Sequence, residues 1–306
     1  MRPGHDGPRG EATAGEELRA WAGRFRLLAD DAHRATLTTA RPAHIAVRLF
    51  PVAEPRVLAL AAQWLAVNFL VDDLLDTEDD PARCDAVAAA LLRAADGAAP
   101  PAAAPLGRAL ADLWHRTTAG RSSGWCRTFR ADLASWLGTY AREARDRLAG
   151  RVPETDAYRR HRRLSSGMLV FVGLVEPAVG VDLPDEVRGD PAVAALRGLT
   201  AEHMGLVNDL YSVDRELASG QVHNAASVIM HHTGVGRAEA LRRVVGLTTD
   251  CQRAFQEATR SPAAADSSVR RCVRGYRALM RGAVDICQEL DRYAHPALTT
   301  PGGTQA

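Results

Sequence analysis

Residues 57–76 read VLALAAQWLAVNFLVDDLLD, and this stretch decides the fold. Its first three-quarters is almost entirely apolar and shows no strict alternation of apolar and polar residues. A continuous apolar run that is much longer than a typical strand predicts a helix buried on all sides. Such a helix requires other elements to pack around it, so the chain is expected to have a sizeable hydrophobic core.

The same helix ends in a dense group of carboxylates. Six of the nine residues from 72 to 80 are acidic, and Asp72 and Asp76 lie one helical turn apart with Asp73 beside them. Carboxylates at a helix C-terminus oppose the helix dipole and repel one another. Oxygen ligands gathered in this way suit Mg²⁺, which binds a few carboxylates together with substrate phosphates and water. The alternative interpretation is an acidic helix end in contact with solvent.

A second polar stripe occurs at NDLYSVDRE, residues 208–216. Asn208, Ser212 and Glu216 recur every four residues, so their side chains lie along one face of a helix for about two turns. An amide oxygen, a hydroxyl and a carboxylate are all ligands that Mg²⁺ accepts. The alternative is an ordinary polar helix face in contact with solvent, to which Asp214 and Arg215 would also belong.

The rest of the chain predicts helices almost everywhere. The β-branched run at 170–175 lies within a helix-length apolar segment and indicates a buried helix rather than a strand. One all-α domain over residues 16–295 follows, with residues 1–15 disordered and residues 296–306 forming a loose tail. The predicted helices cover a first segment to about 35 and then about 57–76, 84–95, 106–120, 122–148, 154–179, 191–218, 223–233, 236–259 and 266–293.

Composition excludes several classes of function. The 38 basic and 37 acidic residues leave a formal net charge of +1, which gives no electrostatic case for a nucleic-acid partner. No run approaches the roughly 18 uncharged apolar residues that span a bilayer, so no membrane span is predicted. The five cysteines contain no CxxC pair, and residues 1–17 lack the apolar region of a signal peptide. A cytoplasmic protein is the expectation.

The two polar motifs together resemble the bacterial class I terpene synthases. DDLLD at 72–76 resembles the aspartate-rich motif of that family, and NDLYSVDRE at 208–216 resembles its Asn/Ser/Glu triad. Arg162, within RRLSSG 46 residues before Asn208, resembles the diphosphate-sensing arginine. Near the C-terminus, Arg292 and Tyr293 resemble the family's Arg-Tyr pair. The resemblance covers about residues 57–293 and implies an all-α, single-domain class I terpenoid synthase bundle around a central active-site cavity.

The resemblance also implies a reaction and a set of site residues. The expected enzyme is a carbon-oxygen lyase that ionises a linear prenyl diphosphate, farnesyl diphosphate by family precedent, and cyclises the carbocation to a terpene hydrocarbon or alcohol. Three Mg²⁺ ions, with Mn²⁺ as an alternative, would be held by the motif residues Asp72, Asp73, Asp76, Asn208, Ser212 and Glu216. The diphosphate would contact Arg162, Arg215, Arg292 and Tyr293.

Two further expectations concern the cavity. Ser165, Ser166 and Gly167 predict a local helix break, and by family position Ser165 would link the sensing arginine to Ser166, whose carbonyl would face the substrate. Leu65, Phe69 and Met204 lie one or two turns before the polar motifs and would contact the prenyl chain. For these three side chains, ordinary core packing is the competing interpretation.

Two other functions remain open at this stage. A trans-prenyl transferase that elongates an allylic diphosphate would have the same helical architecture, but it would show a second aspartate-rich motif where the Asn/Ser/Glu stripe stands. A non-enzymatic helical binding protein would need neither the acidic helix end nor the Arg-Tyr pair. The sequence also leaves a homodimer open.

Overall fold

The computed structural model describes residues 7–29, 31–98, 104–218 and 221–290. Within these ranges the chain is helical and contains no strand, which confirms the predicted all-α class. A short 3₁₀ helix (Pro262–Ala265) precedes the last helix. The α-helices are α1 (Gly7–Arg24), α2 (Asp31–Ala40), α3 (Pro42–Leu49), α4 (Pro55–Leu75), α5 (Pro81–Ala95), α6 (Pro105–Thr118), α7 (Ser123–Leu137), α8 (Thr139–Leu148), α9 (Thr155–Ser165), α10 (Met168–Gly173), α11 (Val175–Ala178), α12 (Asp185–Arg188), α13 (Pro191–Ala218), α14 (Ala225–Thr233), α15 (Arg237–Ala258) and α16 (Ser267–Glu289).

Two long helices form the centre of the bundle. Helix α4 packs against α1 and α3, whereas α13 packs against α9, α10, α15 and α16. Helix α16 in turn contacts α3, so the two halves of the bundle close around a common interior. The carboxyl-terminal halves of α4 and α13, which carry the two polar motifs, therefore face one another across this interior.

Helix α4 is the one described helix whose length and apolar character bear on the predicted lack of a membrane span. By length and composition alone Pro55–Leu75 is apolar enough to span a membrane. However, 78% of its most apolar window is buried inside the protein, where Trp64, Leu65 and Val71 pack into the main core. The uncharged run itself is shorter than 18 residues, because Arg56 precedes it and Asp72 follows it. Its surroundings are those of a core helix.

The N-terminal segment also differs from the prediction. Residues 7–15 were expected to be disordered, but they form the first half of α1. Ala14 and Leu18 are buried one turn apart against the core. On the neighbouring face, Glu11 accepts a hydrogen bond from Arg41 at 3.1 Å and pairs with His44 at 3.0 Å. The Gly- and Pro-rich composition gave no sign of this helix, because its stabilising contacts come from the distant helices α3 and α4.

Three of the predicted long helices are divided in the structure. The first ends at Arg24 and resumes as α2, because Arg26 takes a left-handed conformation with φ 59°. The predicted helix over 122–148 divides at Gly138 into α7 and α8. The predicted helix over 154–179 divides into α9, α10 and α11, and the first of these breaks falls at Gly167, as the sequence predicted.

Candidate active site

A cavity of about 560 Å³ lies at the centre of the bundle. Its walls come from α2, α3, α4, α8, α9, α10, α13 and α16, and both polar motifs open onto it. One end is polar, with Asp72, Asp73, Asp76, Glu143, Arg162, Asn208, Arg215 and Glu216. The other end is largely apolar, with Ile45, Leu49, Leu65, Phe69, Met168, Met204, Ala283 and Ile286. The sequence-predicted cavity residues Leu65, Phe69 and Met204 thus all lie on its wall.

The carboxylates at the end of α4 are held by neighbouring hydroxyl groups. The Tyr140 hydroxyl of α8 donates a hydrogen bond to Asp72, and the Thr36 hydroxyl of α2 donates one to Asp73. Burial, together with the nearby carboxylates of Glu143 and Glu216, raises the pKa of Asp76 to about 6. The polar end of the cavity therefore concentrates negative charge.

The predicted stripe on α13 is present, although its three members differ in exposure to the cavity. Asn208 and Glu216 line the cavity, and the Asn208 side-chain oxygen accepts a hydrogen bond from Arg162 Nη2 at 2.9 Å. The Glu216 carboxylate accepts one from Asn224 Nδ2 at 2.9 Å. Ser212 is buried behind this surface, and its hydroxyl donates to the Asn208 backbone carbonyl at 2.8 Å.

Arg162 is the arginine of its cluster that reaches the cavity. Its guanidinium lies 2.8 Å from the carboxylate of Asp209, which is fully buried. Burial alone would lower the pKa of Arg162, but the charge of Asp209, together with those of Tyr158, Glu216 and Glu143, more than offsets this, so the pKa is raised and the side chain stays protonated. The absence of a side chain at Gly205 makes room for it, since a Cβ there would lie 3.1 Å from Arg162 Cγ.

The neighbouring arginines have a different environment. Arg159 and Arg163 both pair with the carboxylate of Glu202, with Nε–O distances of 2.8 and 2.6 Å. Glu202 is completely buried on α13, away from the residues that line the cavity. The choice of Arg162 rather than Arg159 as the candidate contact to substrate therefore agrees with the position of each side chain.

The break between α9 and α10 borders the same cavity. Ser165 and Ser166 line it, and Gly167 takes a left-handed conformation with φ 68°. A Cβ at Gly167 would lie 2.6 Å from Asn68 Nδ2 and 3.2 Å from the Trp136 indole ring. Glycine is required here both by the backbone conformation and by this close approach.

The structure adds residues that the sequence reasoning missed. Tyr140 and Glu143 lie one turn apart on α8 and line the polar end of the cavity. Burial acts to raise the pKa of Glu143. However, the hydrogen bond from His161 at 2.7 Å and the charge of His223 hold this pKa below its ordinary value. Neither residue belongs to a recognisable motif, and the packing of α8 against α5, α7 and α9 brings them to the site.

Arg292 and Tyr293, predicted to contact the diphosphate, lie outside the described residues. The predicted C-terminal tail over 296–306 also lies outside them.

Comparison with known proteins agrees with this geometry. Residues 63–254 match the family described as terpene synthase family 2, C-terminal metal binding. An all-α bundle whose cavity carries an aspartate-rich helix end opposite an Asn/Ser/Glu stripe is the architecture of a class I terpene synthase. The chain belongs to this family and is accordingly an enzyme, a terpene cyclase that acts on a prenyl diphosphate.

Named relatives are similar over much of the chain. It is 31% identical to a (-)-beta-caryophyllene synthase of Saccharothrix espanaensis, over 91% of this chain and 77% of that protein. It is 28% identical to the pristinol synthase of Streptomyces pristinaespiralis, over 92% and 81%. Similarity to the (2Z,6E)-hedycaryol synthase of Kitasatospora setae, at 34% identity, spans 65% of this chain and 60% of that one.

Solved structures show the same fold. The chain superposes on wild-type cucumene synthase with a TM-score of 0.77 and 29% identity, covering 90% of this chain and 95% of that one. It superposes on hedycaryol synthase in complex with HEPES with a TM-score of 0.79 and 26% identity, covering 92% and 94%.

The donor set at the cavity fits the divalent metal that the family implies. Every candidate donor is an oxygen, and the raised pKa of Asp76 reflects its burial and the neighbouring charges of Glu143 and Glu216, both of which a cation would offset. In the described part of the chain, no three His, Cys, Asp or Glu side chains are close enough to hold a metal by themselves. The two walls of the cavity, the carboxyl-terminal end of α4 and the polar stripe of α13, are therefore suited to cations that also bind an anionic group placed between them.

Proposed function

We propose that the chain is a Mg²⁺-dependent cyclase that converts farnesyl diphosphate to a cyclic or rearranged C15 terpene and inorganic diphosphate. The observation that carries this proposal is the division of one cavity into two ends. The oxygen donors of α4 and α13 meet Arg162 at the polar end, and apolar side chains line the part of the cavity that continues from it.

Asp72, Asp73 and Asp76 would hold metal from one wall, and Asn208, Ser212 and Glu216 from the other. Three Mg²⁺ ions are proposed, and Mn²⁺ would substitute because it accepts the same oxygen ligands. Bound there, the cations neutralise the charge that develops on the diphosphate as its C–O bond breaks. Ser212 would join them only after a small rotation, since its hydroxyl now bonds to the Asn208 carbonyl.

Side chains of the protein bind the diphosphate and enclose the prenyl chain. Arg162 and Arg215 donate hydrogen bonds to diphosphate oxygens, and Arg162 arrives already oriented by Asp209. Arg292 and Tyr293 are proposed as further donors. At the helix break, Ser165 and Ser166 border the position where the allylic carbon would lie. The apolar wall formed by Leu65, Phe69 and Met204 excludes bulk water from the carbocation. The Phe69 ring on this wall would stabilise the carbocation by cation–π attraction.

The choice of farnesyl diphosphate rests on the relatives. The Saccharothrix espanaensis protein is described as cyclising (2E,6E)-farnesyl diphosphate, and the similarity to it covers 91% of this chain. A cavity of about 560 Å³ falls in the usual range for a ligand of this size. We also propose that the enzyme works in the cytoplasm and has no nucleic-acid partner.

The competing function is chain elongation by a trans-prenyl transferase. Elongation would favour a second set of aspartates on α13, but this helix presents Asn208 and Glu216 to the cavity instead. The cyclase is therefore the better supported of the two.

Incubation with geranyl, farnesyl and geranylgeranyl diphosphate, followed by gas chromatography, tests the proposal directly. The expected result is a volatile terpene from farnesyl diphosphate that is lost in EDTA and unchanged by isopentenyl diphosphate. A longer linear prenyl diphosphate would instead identify a transferase. Turnover that survives exhaustive chelation would overturn the metal-dependent mechanism.

A further inference from the structure

Asn68 is a polar residue within the apolar part of the cavity wall. It lies on α4 between Leu65 and Phe69, and it lines the cavity with only 6% of its surface exposed. Its side-chain amide makes no hydrogen bond within the described residues, although other buried amides do. Gln63, on the same helix, accepts a hydrogen bond from Arg116 at 2.6 Å, and Asn224 bonds to Glu216.

The position of Asn68 is fixed from two directions. It lies four residues before Asp72, so its amide is about 6 Å deeper along α4 than the first candidate metal ligand. It also packs directly against Gly167 at the helix break, where a Cβ would come within 2.6 Å of Asn68 Nδ2. The amide is therefore held beside the reactive end of the prenyl chain rather than among the diphosphate contacts.

A buried amide without a partner is unfavourable, and leucine would fill the same volume without that cost. A carbonyl oxygen and an NH₂ group can together orient a water molecule in such a place, because an enclosed water needs polar partners. Leu65, Phe69 and Met204, which also line this part of the cavity, offer none, and the other polar side chains there are Ser165 and Ser166 at the helix break. Asn68 is thus the polar group of α4 at which a single water would be retained beside the prenyl chain.

We propose that Asn68 holds the water that captures the carbocation, and that the main product is consequently a terpene alcohol. This inference rests on the cyclase function proposed above. The water oxygen forms a C–O bond to the cationic carbon with one of its lone pairs. The proton that the resulting oxonium loses passes to the diphosphate, which the ionisation step has already released within the cavity. The products are then the alcohol and protonated inorganic diphosphate, and no oxidant or reductant is required.

Family membership does not decide between the two product classes. Relatives of this chain are named for alcohols, such as pristinol and hedycaryol, and for hydrocarbons, such as beta-caryophyllene. The prediction of an alcohol comes from Asn68 alone.

The test compares wild-type enzyme with N68L and N68A in H₂¹⁸O, with farnesyl diphosphate as substrate. Product is analysed by gas chromatography with mass spectrometry, and inorganic diphosphate release is measured separately. N68L replaces the amide by an apolar group of similar volume, and N68A removes it without adding bulk. Q63L is the matched control, because it removes a buried amide from the same helix at a position that does not line the cavity.

Wild type and Q63L should give mainly an alcohol that carries ¹⁸O. In N68L and N68A the ratio of alcohol to hydrocarbon should fall by roughly fivefold, the effect of losing one typical hydrogen bond to the water. Diphosphate release should continue in both variants. A wild-type product that is entirely hydrocarbon, or an unchanged alcohol ratio in N68L and N68A, would overturn the role of Asn68 while leaving the cyclase intact. A wild type that yields no volatile terpene from any of the three diphosphates would overturn both proposals.

Discussion

Glu216 stands at the end of the α13 stripe, where it accepts a hydrogen bond from Asn224 and lies 3.6 Å from Arg215. Glu216→Gln keeps the shape of this side chain and removes its charge. We expect kcat to fall by about 10²-fold or more, as for the loss of a key electrostatic group, while the melting temperature changes little. The control is Glu239→Gln, an exposed carboxylate on α15 that pairs with Arg243. Wild-type turnover in folded Glu216→Gln would assign Glu216 to an ordinary polar face.

Arg162 and Arg159 provide a second comparison between single residues. Arg162→Ala removes the charge that Asp209 faces in the interior, so it should lower the unfolding free energy by about 3 kcal/mol and kcat/KM by roughly 10²-fold. Arg159→Ala should cost about 1 kcal/mol or less, because Glu202 keeps its pairing with Arg163. Urea unfolding and steady-state kinetics on both variants check this. Equal losses of activity would mean that the diphosphate contact had been assigned to the wrong arginine.

At the scale of the helix, the sequence was most informative where periodicity and end signals agreed. Helix α13 was predicted with the bounds that the structure shows, and α4 to within two residues. The division at Gly138 was missed because its helix resumes at once and no apolar pattern is interrupted. The ordering of residues 7–15 and the approach of Tyr140 to the cavity depend on packing between distant helices. Local sequence carries no signal for either.

The break between α9 and α10 is the element whose role is easiest to test. Gly167→Ala forces a Cβ into a left-handed position against Asn68 and Trp136, which should lower the unfolding free energy by about 2 kcal/mol. Turnover should also fall, because Ser165 and Ser166 would shift with the break. Gly246→Ala is the matched control: on α15 a Cβ meets no heavy atom within 4 Å, so stability should rise by about 0.5–1 kcal/mol. If urea unfolding showed Gly167→Ala to be as stable as wild type, the strained break would be excluded.

At the scale of the whole molecule, the site is divided between two walls that come from opposite parts of the bundle. No compact group of three His, Cys, Asp or Glu side chains occurs among the described residues, so Mg²⁺ alone should bind weakly. Mg²⁺ with inorganic diphosphate should bind far better, because the diphosphate oxygens complete the coordination from both walls and Arg162 contacts the anion.

The expected result is therefore a synergy in thermal unfolding. A ligand present at a hundredfold excess over its Kd adds about 2.7 kcal/mol, which should raise the melting temperature by roughly 5 °C or more. Mg²⁺ alone or diphosphate alone should give a much smaller shift, and Asp72→Asn should remove most of the joint effect. Asp250→Asn, an exposed change on α15, should leave it intact. A full shift in melting temperature with Mg²⁺ alone would indicate a preformed metal site. A full shift with diphosphate in EDTA would show that diphosphate binds without metal. Either result would contradict a site that metal and substrate assemble together across the cavity.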